Sequence, residues 1–220
     1  MSSREDILDR VRAGLNRNAT NAAAGRDVMR AALSNRSQGP KPAIDGNPQA
    51  LLARFRLKSE QQSTTVDIVA RESAVPAAVE RYLTAMKLPK TAVAWPSLAA
   101  LDWTAAGLKV EGRGARDADL VGITGCFCAV AETGTLMLCS SPDTPAAVSL
   151  LPETHIAIVR ASRIVAYMEQ AWDLARAELG ALPRAVNFIS GPSRTGDIEQ
   201  TIVLGAHGPY RVHIVIVEGQ

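Results

Sequence analysis

The sequence predicts an α/β protein with a Rossmann-like, mostly parallel sheet and helices on both faces. Short apolar segments such as "TAVAW" (91–95), "HIAIVR" (155–160) and "VHIVIV" (212–217) have the length and composition of buried strands. Helical patterns lie between them, the clearest over 163–179. Strands that alternate with helices form βαβ units, which place the strands parallel in one sheet. Ligands of such sheets usually bind beyond the carboxyl ends of the strands.

The alternation begins at Pro48 and continues to the last apolar segment. Helices are predicted at 48–62, 73–88 and 163–179. Strands are predicted at 64–70, 91–95, 108–113, 118–124, 155–160, 184–190 and 212–217. The segment 125–141 has the pattern of a strand, then a turn or short helix, then a second strand. Residues 48–220 are therefore expected to form one α/β domain.

An arm of different composition, residues 1–47, precedes this domain. Apolar residues from Ile7 to Leu15 share one helical face, and Ser2 with Glu5 has the spacing of a capping box. A short helix is predicted over 25–35, followed by a linker rich in Gly and Pro. The first helix is expected either to be peripheral or to dock on a partner.

Composition and charge exclude several classes of function. A net charge of +2 and an aromatic content of 4% do not favour nucleic-acid binding. No run of about 18 apolar residues predicts a membrane span. The cysteines, Cys126, Cys128 and Cys139, match neither a disulfide framework nor the usual zinc or iron–sulfur spacings. A cytoplasmic protein with buried thiols and no metal or cofactor of its own is expected.

The stretch "FISGPSRTGDIEQTIVLGAHGP" (188–209) is the first candidate site. A strand is expected to end at Ser190, and a helix capped by Ser193 or Thr195 is expected to run through "DIEQTIVLG". Free N–H groups at its start, the hydroxyls and the Arg194 guanidinium would form an anion pocket. In the alternative interpretation Arg194 pairs with an acidic side chain of that helix and the hydroxyls only cap it.

Two further features carry chemistry of their own. In "AETGTLML" (131–138), Glu132 can act as a base, a nucleophile or a hydrogen-bond anchor; otherwise the segment is a plain turn. His207, between glycines in "GAHGP", can act as an acid, a base or a donor. His155 and His213 lie within predicted strands and are expected to be structural.

Three stretches together, "AETGTLML", "SLLPETHIAIVRASRIV" and "FISGPSRTGDIEQTIVLGAHGPYRVHIVIV", resemble the lactate-utilisation protein C family, whose main body is the LUD domain. The resemblance covers roughly residues 65 to 218 and is strongest from Asp119 onward. It implies a fold like that of the sugar-phosphate isomerases and CoA transferases. It also implies a role in oxidising L-lactate to pyruvate, beside an iron–sulfur subunit and a cysteine-rich redox subunit that carry the clusters.

The resemblance also assigns motif positions to this sequence. These are Glu132, Thr133, Gly134, Thr135, Ser190, Gly191, Pro192, Ser193, Arg194, Thr195, Asp197, Glu199, His207, Gly208 and Pro209. They suggest a pocket for a small carboxylate or phosphate-bearing ligand, with His207 as base and Arg194 as carboxylate clamp. Two alternatives remain: a scaffold or regulatory module with a relic pocket, and a free-standing transferase or isomerase that uses Glu132.

The sequence departs from the family pattern in two places. It has "GCFCAVAE" where the family usually has a small or acidic and aromatic pair. It has "SSPDTPAAV" (140–148) where the family commonly has a Gly-Arg-rich loop before Ser149. If the arginine of that loop holds an anion, the pocket here has one positive charge fewer.

Overall fold

The computed structural model describes residues 3–195 and 203–219. The chain divides into two compact units, Met1–Pro42 and Ala43–Gln220. The sequence placed this division a few residues later, between 47 and 48.

The N-terminal unit contains two helices, α1 (Arg4–Gly14) and α2 (Ala19–Asn35). The Asp6 backbone N–H donates to Ser3 Oγ (3.2 Å), and the Ser3 N–H donates to the Asp6 carboxylate (2.8 Å). The capping box of α1 is therefore Ser3 with Asp6, one residue later than the predicted pair, Ser2 with Glu5. The apolar face of α1 is exposed, with Ile7 at 52% and Val11 at 51%.

The second unit follows the predicted alternation closely. Its elements are α3 (Pro48–Gln61), β1 (Thr65–Val69), α4 (Val75–Ala85), β2 (Thr91–Ala94), β3 (Lys109–Gly112), β4 (Val121–Thr124), β5 (Cys128–Val130), β6 (Thr135–Cys139), α5 (Ala147–Leu150), β7 (Thr154–Arg160), β8 (Ile164–Val165), α6 (Met168–Leu179), β9 (Val186–Ile189), β10 (Arg194–Thr195), β11 (Val203–Leu204) and β12 (Arg211–Val217). Short 3-10 turns follow β1, β2 and β7.

Six parallel strands form the main sheet, in the order β1-β12-β7-β4-β2-β3. Its centre is the pair β12 and β7, which runs from Arg211 opposite Thr154 to Val217 opposite Arg160. Both strands are buried almost throughout. This burial explains their continuous apolar sequences, and it confirms the predicted mostly parallel sheet.

A second sheet of four strands, in the order β8-β5-β6-β9, corrects two predictions. The segment "RAVNFIS" does contain a strand, but β9 runs antiparallel to β6, with Ile189 opposite Leu136, and lies outside the parallel sheet. The helix predicted over 163–179 begins only at Met168, because Ile164 and Val165 form β8. The Gln170 side chain accepts from the N–H groups that precede the helix and so fixes its start.

Helices cover both faces of the main sheet. On one face, α4 buries Val79 and Leu83 against Ile156 and Val215. On the other face, α3 and the second sheet enclose a core that includes Phe55 of α3. The far side of the second sheet is covered by α6. The carboxyl ends of the parallel strands consequently open between the two sheets.

Candidate functional site

The motif residues of 131–135 lie in a tight turn between β5 and β6. Gly134 adopts a φ of +69°, and a Cβ atom there would lie 2.5 Å from the Ser59 nitrogen in α3. Gln62 Nε2 donates to the Thr133 carbonyl (2.6 Å), and the Glu132 N–H donates to the Ala166 carbonyl (3.0 Å). The turn is thus fixed against the C-terminal end of α3.

A chain of hydroxyl groups joins this turn to the second motif. Thr133 Oγ1 lies 2.7 Å from Thr135 Oγ1, which lies 2.7 Å from Ser190 Oγ. Thr135 is buried, whereas Ser190 is exposed. The structure therefore brings the Glu132–Thr135 and Ser190–Gly191 motifs together.

Gly191 and Arg194 contact the same end of α3. A Cβ atom on Gly191, whose φ is +78°, would lie 2.4 Å from the Gln62 carbonyl oxygen. The exposed Arg194 donates to that carbonyl (3.3 Å) and to Ser63 Oγ (2.6 Å). A cation in this position stabilises the negative end of the helix dipole. Arg194 therefore caps α3 in this structure.

The prediction of an anion-binding helix through "DIEQTIVLG" is wrong for Val203 and Leu204, the part of it that the structure describes as a strand. Arg194 and Thr195 form β10, which pairs antiparallel with Val203 and Leu204 of β11. The two motif acids, Asp197 and Glu199, lie outside the described residues, as does the middle of the predicted helix. Ser193, one of the two candidate capping residues, donates its N–H to the Pro209 carbonyl (2.9 Å).

The loop from Gly205 to Pro209 completes this surface. The Gly205 N–H donates to the Ser193 carbonyl (3.0 Å), and Gly208 lies against the Ser193 side chain. His207 is exposed. Because β1 starts just after α3, and β12 just after Pro209, these motif residues lie at the amino edge of the main sheet.

The opposite, carboxyl edge carries the larger opening, a cleft formed by two cavities that share lining residues. One cavity has a volume of about 480 Å³ and the other of about 370 Å³. Their walls include Trp95 directly after β2, Gly125 directly after β4 and Arg160 at the end of β7. Four residues line both cavities: Trp95, Cys126, Phe127 and Thr144. The name "carboxyl-edge cleft" is used for this joint opening.

The local sequence explains the rigid floor of the carboxyl-edge cleft. Trp95 Nε1 donates to the Pro145 carbonyl (3.1 Å), which fixes the indole against the loop before α5. A Cβ atom on Gly125 would lie 3.3 Å from the indole ring, so only glycine leaves the ring unshifted. Both residues follow buried strands, which position them.

Two arginines with different environments lie at one end of the cleft. Arg163 donates to the Phe127 carbonyl (2.9 Å) and to both oxygens of Glu178 (2.7 and 2.9 Å), and its guanidinium lies 4.8 Å from the Phe127 ring centre. The hydrogen bond between Arg163 and Glu178 raises the pKa of Arg163 and lowers that of Glu178. Among the described residues, Arg160 contacts only Glu72, at a long 3.4 Å, and 62% of its side chain is exposed.

Cys126 and Cys139 line the cleft, Cys128 is buried in β5, and all three are neutral thiols. Burial raises the pKa of Cys126, and it raises that of Cys128 to about 12. Cys128 Sγ also lies 3.7 Å from Met137 Sδ. Among residues 3–195 and 203–219, no three His, Cys, Asp or Glu side chains come together as a metal site. The expectation that partner subunits hold any clusters remains a prediction.

The two strand histidines are buried and paired with hydroxyl groups. His155 Nε2 lies 2.8 Å from Thr124 Oγ1, and His213 Nδ1 lies 2.8 Å from Thr65 Oγ1. Desolvation by burial lowers the pKa of each histidine to about 4. Both imidazoles are thus neutral at neutral pH.

The sequence argument missed the cleft residues Trp95, Phe127, Arg160 and Arg163, although a signal was present. Three strands that line the cleft, β2, β4 and β7, were predicted from their apolar runs. Ligands usually bind beyond the carboxyl ends of parallel strands. For these three strands, that rule indicates Trp95, Gly125 and Arg160. The predicted site instead follows the strand that ends at Ser190, and this strand belongs to the second sheet.

The fold and the cleft define a Rossmann-like α/β domain with an accessory mixed sheet and a ligand-sized opening at its carboxyl edge. No described helix combines the length and apolar character that a membrane crossing requires. The model of the LUD domain family matches residues 53–217, and the chain belongs to this family.

Individual relatives agree with this assignment. The chain is 32% identical over 230 residues to the Lactate utilization protein C of Exiguobacterium sp. (strain ATCC BAA-1283 / AT1b), and the match covers 99% of this chain and 96% of that protein. It is 45% identical over 100 residues to the Lactate utilization protein C of Bacillus subtilis (strain 168), and that match covers 44% of this chain and 42% of the relative. The fold is similar to the crystal structure of a duf162 family protein from Deinococcus radiodurans, with a TM-score of 0.57 at 22% identity, over 78% of this chain and 98% of that one.

Proposed function

We propose that this chain is a cytoplasmic subunit of an L-lactate-oxidising system and binds an organic anion without holding an iron–sulfur cluster itself. The observation that supports the role is the match to a Lactate utilization protein C over 99% of the chain. The proposed partners are an iron–sulfur subunit and a cysteine-rich redox subunit. Oxidation of lactate to pyruvate releases two protons, one from the hydroxyl group and one from the α carbon, and two electrons, which clusters in the partner subunits would accept.

The carboxyl-edge cleft is the proposed anion site of this subunit. It lies where parallel sheets usually bind ligands, and it has an exposed arginine, Arg160, whose present partner is 3.4 Å away. An incoming carboxylate or phosphate replaces Glu72 on the guanidinium with shorter, charge-assisted hydrogen bonds. Glu72, whose side chain is 39% exposed, then returns to solvent.

The amino-edge surface is the second candidate for the anion site. The chain of Thr133, Thr135 and Ser190 hydroxyls favours it, because hydroxyl groups are good partners for anions. There Arg194 would leave Ser63 to bind the ligand, and His207 would act as base. Under this alternative the domain is either a catalytic subunit or, with the pocket unused, a scaffold of the complex.

Complementation separates the two surfaces. Cells that lack the chain are supplied with Arg160→Gln, Arg194→Ala or Arg81→Gln and grown on L-lactate. Arg81 is the matched control, since its pair with Asp67 (3.3 Å, side chains 60% and 39% exposed) resembles that of Arg160 with Glu72. We expect only Arg160→Gln to slow growth, because loss of a charged hydrogen bond weakens anion binding by roughly tenfold or more.

A tagged pull-down tests the subunit role independently of either surface. The tagged chain is purified from cells grown on lactate after mild cross-linking. Co-purification of a brown partner whose visible absorbance changes when lactate is added supports the proposal. A colourless, solitary chain from cross-linked cells contradicts it.

A further inference from the structure

We propose that the carboxyl-edge cleft binds a planar aromatic ring system that carries a phosphate or carboxylate group, rather than lactate alone. This inference rests on the cleft being the anion site of the proposed subunit. The class of ligand follows from the size of the opening, the kind of walls and the weakly paired Arg160, judged from the described residues that line the cleft.

The size of the cleft exceeds what lactate requires. A lactate ion displaces about as much volume as a few water molecules of roughly 30 Å³ each, which is on the order of 100 Å³. The first cavity alone has a volume of about 480 Å³, and the adjoining cavity adds about 370 Å³. Openings of this size typically enclose ligands as large as drugs or cofactors.

The walls of the cleft are suited to an aromatic ring. Trp95 and Phe127 line both cavities, Ile158 lines one, and Leu179 and Pro183 line the other. Aromatic side chains favour planar ligands, which they contact by offset stacking or edge to face. The indole of Trp95 is fixed through its N–H and only 5% of the residue is exposed, so it forms a narrow, preformed part of the wall. The half-buried Phe127 supplies the more accessible aromatic ring.

The charge of the ligand follows from the arginines. Arg163 is saturated by Glu178 and the Phe127 carbonyl, and its positive charge is therefore neutralised. Arg160 is exposed, and its contacts to Glu72 are longer than an ordinary charged hydrogen bond. Arg160 is thus the cation of the cleft that is available to a ligand anion, while the neighbouring thiols add no negative charge.

Matched pairs of small molecules test both parts of the proposal. The purified full chain is titrated calorimetrically with 1-naphthyl phosphate against 1-naphthol, with AMP against adenosine, and with inorganic phosphate and L-lactate. We expect a ring phosphate to bind at least about tenfold more tightly than its uncharged partner and than inorganic phosphate, because ring and anion each contribute.

Variants assign the binding to the cleft. Arg160→Gln is expected to weaken the ring phosphate roughly 10- to 100-fold and to leave the uncharged partner unchanged. Arg81→Gln is expected to change neither. Alkylation of Cys139, a half-buried thiol that lines the second cavity, should slow when the ring phosphate is bound, and this readout does not require a variant to fold.

Three results would overturn the inference. One is that neither ring phosphate binds saturably. Another is that charged and uncharged partners bind equally. The third is that Arg160→Gln and Arg81→Gln behave alike. If ring phosphates bind but the chain pulls down no redox partner, the proposed ligand class stands and the proposed subunit role fails. If a redox partner is found but no ring phosphate binds, the subunit role stands and the ligand class fails.

Discussion

The phenol ring of Tyr82 stacks on the imidazole of His213, with ring centroids 3.9 Å apart and ring planes 9° from parallel. Thr65 holds the other side of the imidazole through Nδ1 (2.8 Å). Burial lowers the pKa of His213 to about 4 and raises the pKa of Tyr82. Two neutral rings therefore join α4 to the centre of the main sheet.

The buried histidines make the fold sensitive to acid. His155 and His213 have a pKa of about 4 when folded and about 6.5 when unfolded, so the unfolded chain binds more protons between these values. Stability is complete above pH 6.5 and falls as the pH drops toward 4, by up to about 3 kcal/mol per histidine. Urea unfolding measured from pH 7.5 to pH 4 tests this expectation.

A His213→Phe variant provides the control for the acid effect. It keeps an aromatic ring beside Tyr82 but cannot be protonated, so its stability should fall less steeply between pH 6.5 and 4 than that of the original chain. The same slope in both proteins would contradict the assignment to His213.

Gly134 and Gly191, which contact the C-terminal end of α3, should be among the least replaceable glycines of the domain. Gly134→Ala and Gly191→Ala place a methyl group within 2.5 Å of α3 backbone and also strain a positive φ. We expect each to cost more than about 3 kcal/mol, since left-handed strain alone costs roughly 1–2 kcal/mol. Denaturant midpoints at constant slope measure the loss.

Substitutions at two other glycines distinguish the cost of left-handed backbone strain from the cost of a steric clash. Gly180 has a φ of +67° but open space around it, so Gly180→Ala should cost only the left-handed strain, roughly 1–2 kcal/mol. Gly46 has open space and no positive φ, and Gly46→Ala should be nearly neutral. A Gly134→Ala loss as small as that of Gly180→Ala would show that α3 moves away from the turn.

Arg194 should contribute to stability rather than to ligand binding. Arg194→Ala removes its bonds to the Gln62 carbonyl and Ser63, with an expected cost below about 1 kcal/mol for an exposed contact. Ser63→Ala removes one of these hydrogen bonds but keeps the arginine, so it should also lower the stability, by a smaller amount. Thermal unfolding compares them; a loss of growth on lactate with Arg194→Ala but not Ser63→Ala would instead support the carboxylate-clamp hypothesis.

The cysteines should react slowly with alkylating agents. Burial raises the pKa of Cys126 and Cys128, and only the thiolate is nucleophilic. At pH 8 we expect iodoacetamide to label Cys128 more than about tenfold slower than a free thiol, and to label it readily in urea. Mass spectrometry of the labelled peptides reports each site, and rapid labelling of folded Cys128 would contradict the burial.

Local patterns predicted the strands of the main sheet but not the membership of the second one. The run "VHIVIV" is apolar at almost every position because β12 is buried on both faces, and that signal is local. The run "RAVNFIS" also predicts a strand, yet its pairing of Ile189 with Leu136 is set by tertiary contacts that no local pattern carries. Periodicity therefore identified β9 but misplaced it.

The candidate site shows the same division. The family resemblance, and not the spacing, grouped Thr133, Thr135 and Ser190, whose hydroxyls do lie in one chain. Spacing suggested an acidic partner for Arg194 at Asp197 or Glu199, which lie outside the described residues. It gave no sign of the contact that the structure does show, to Ser63 at the end of α3, 131 residues earlier. A contact of that separation is invisible to any argument from spacing.

The position of β1 at the edge of the main sheet bears on how the protein is made. β1 is the first strand to leave the ribosome, but its partner is β12, with Thr65 opposite His213 across 148 residues. Until β12 is synthesised, β1 has no strand to pair with, and one edge of β7 stays unpaired. Nascent chains that stall before Arg211 thus present unpaired strand edges, which favour aggregation until β12 has been synthesised.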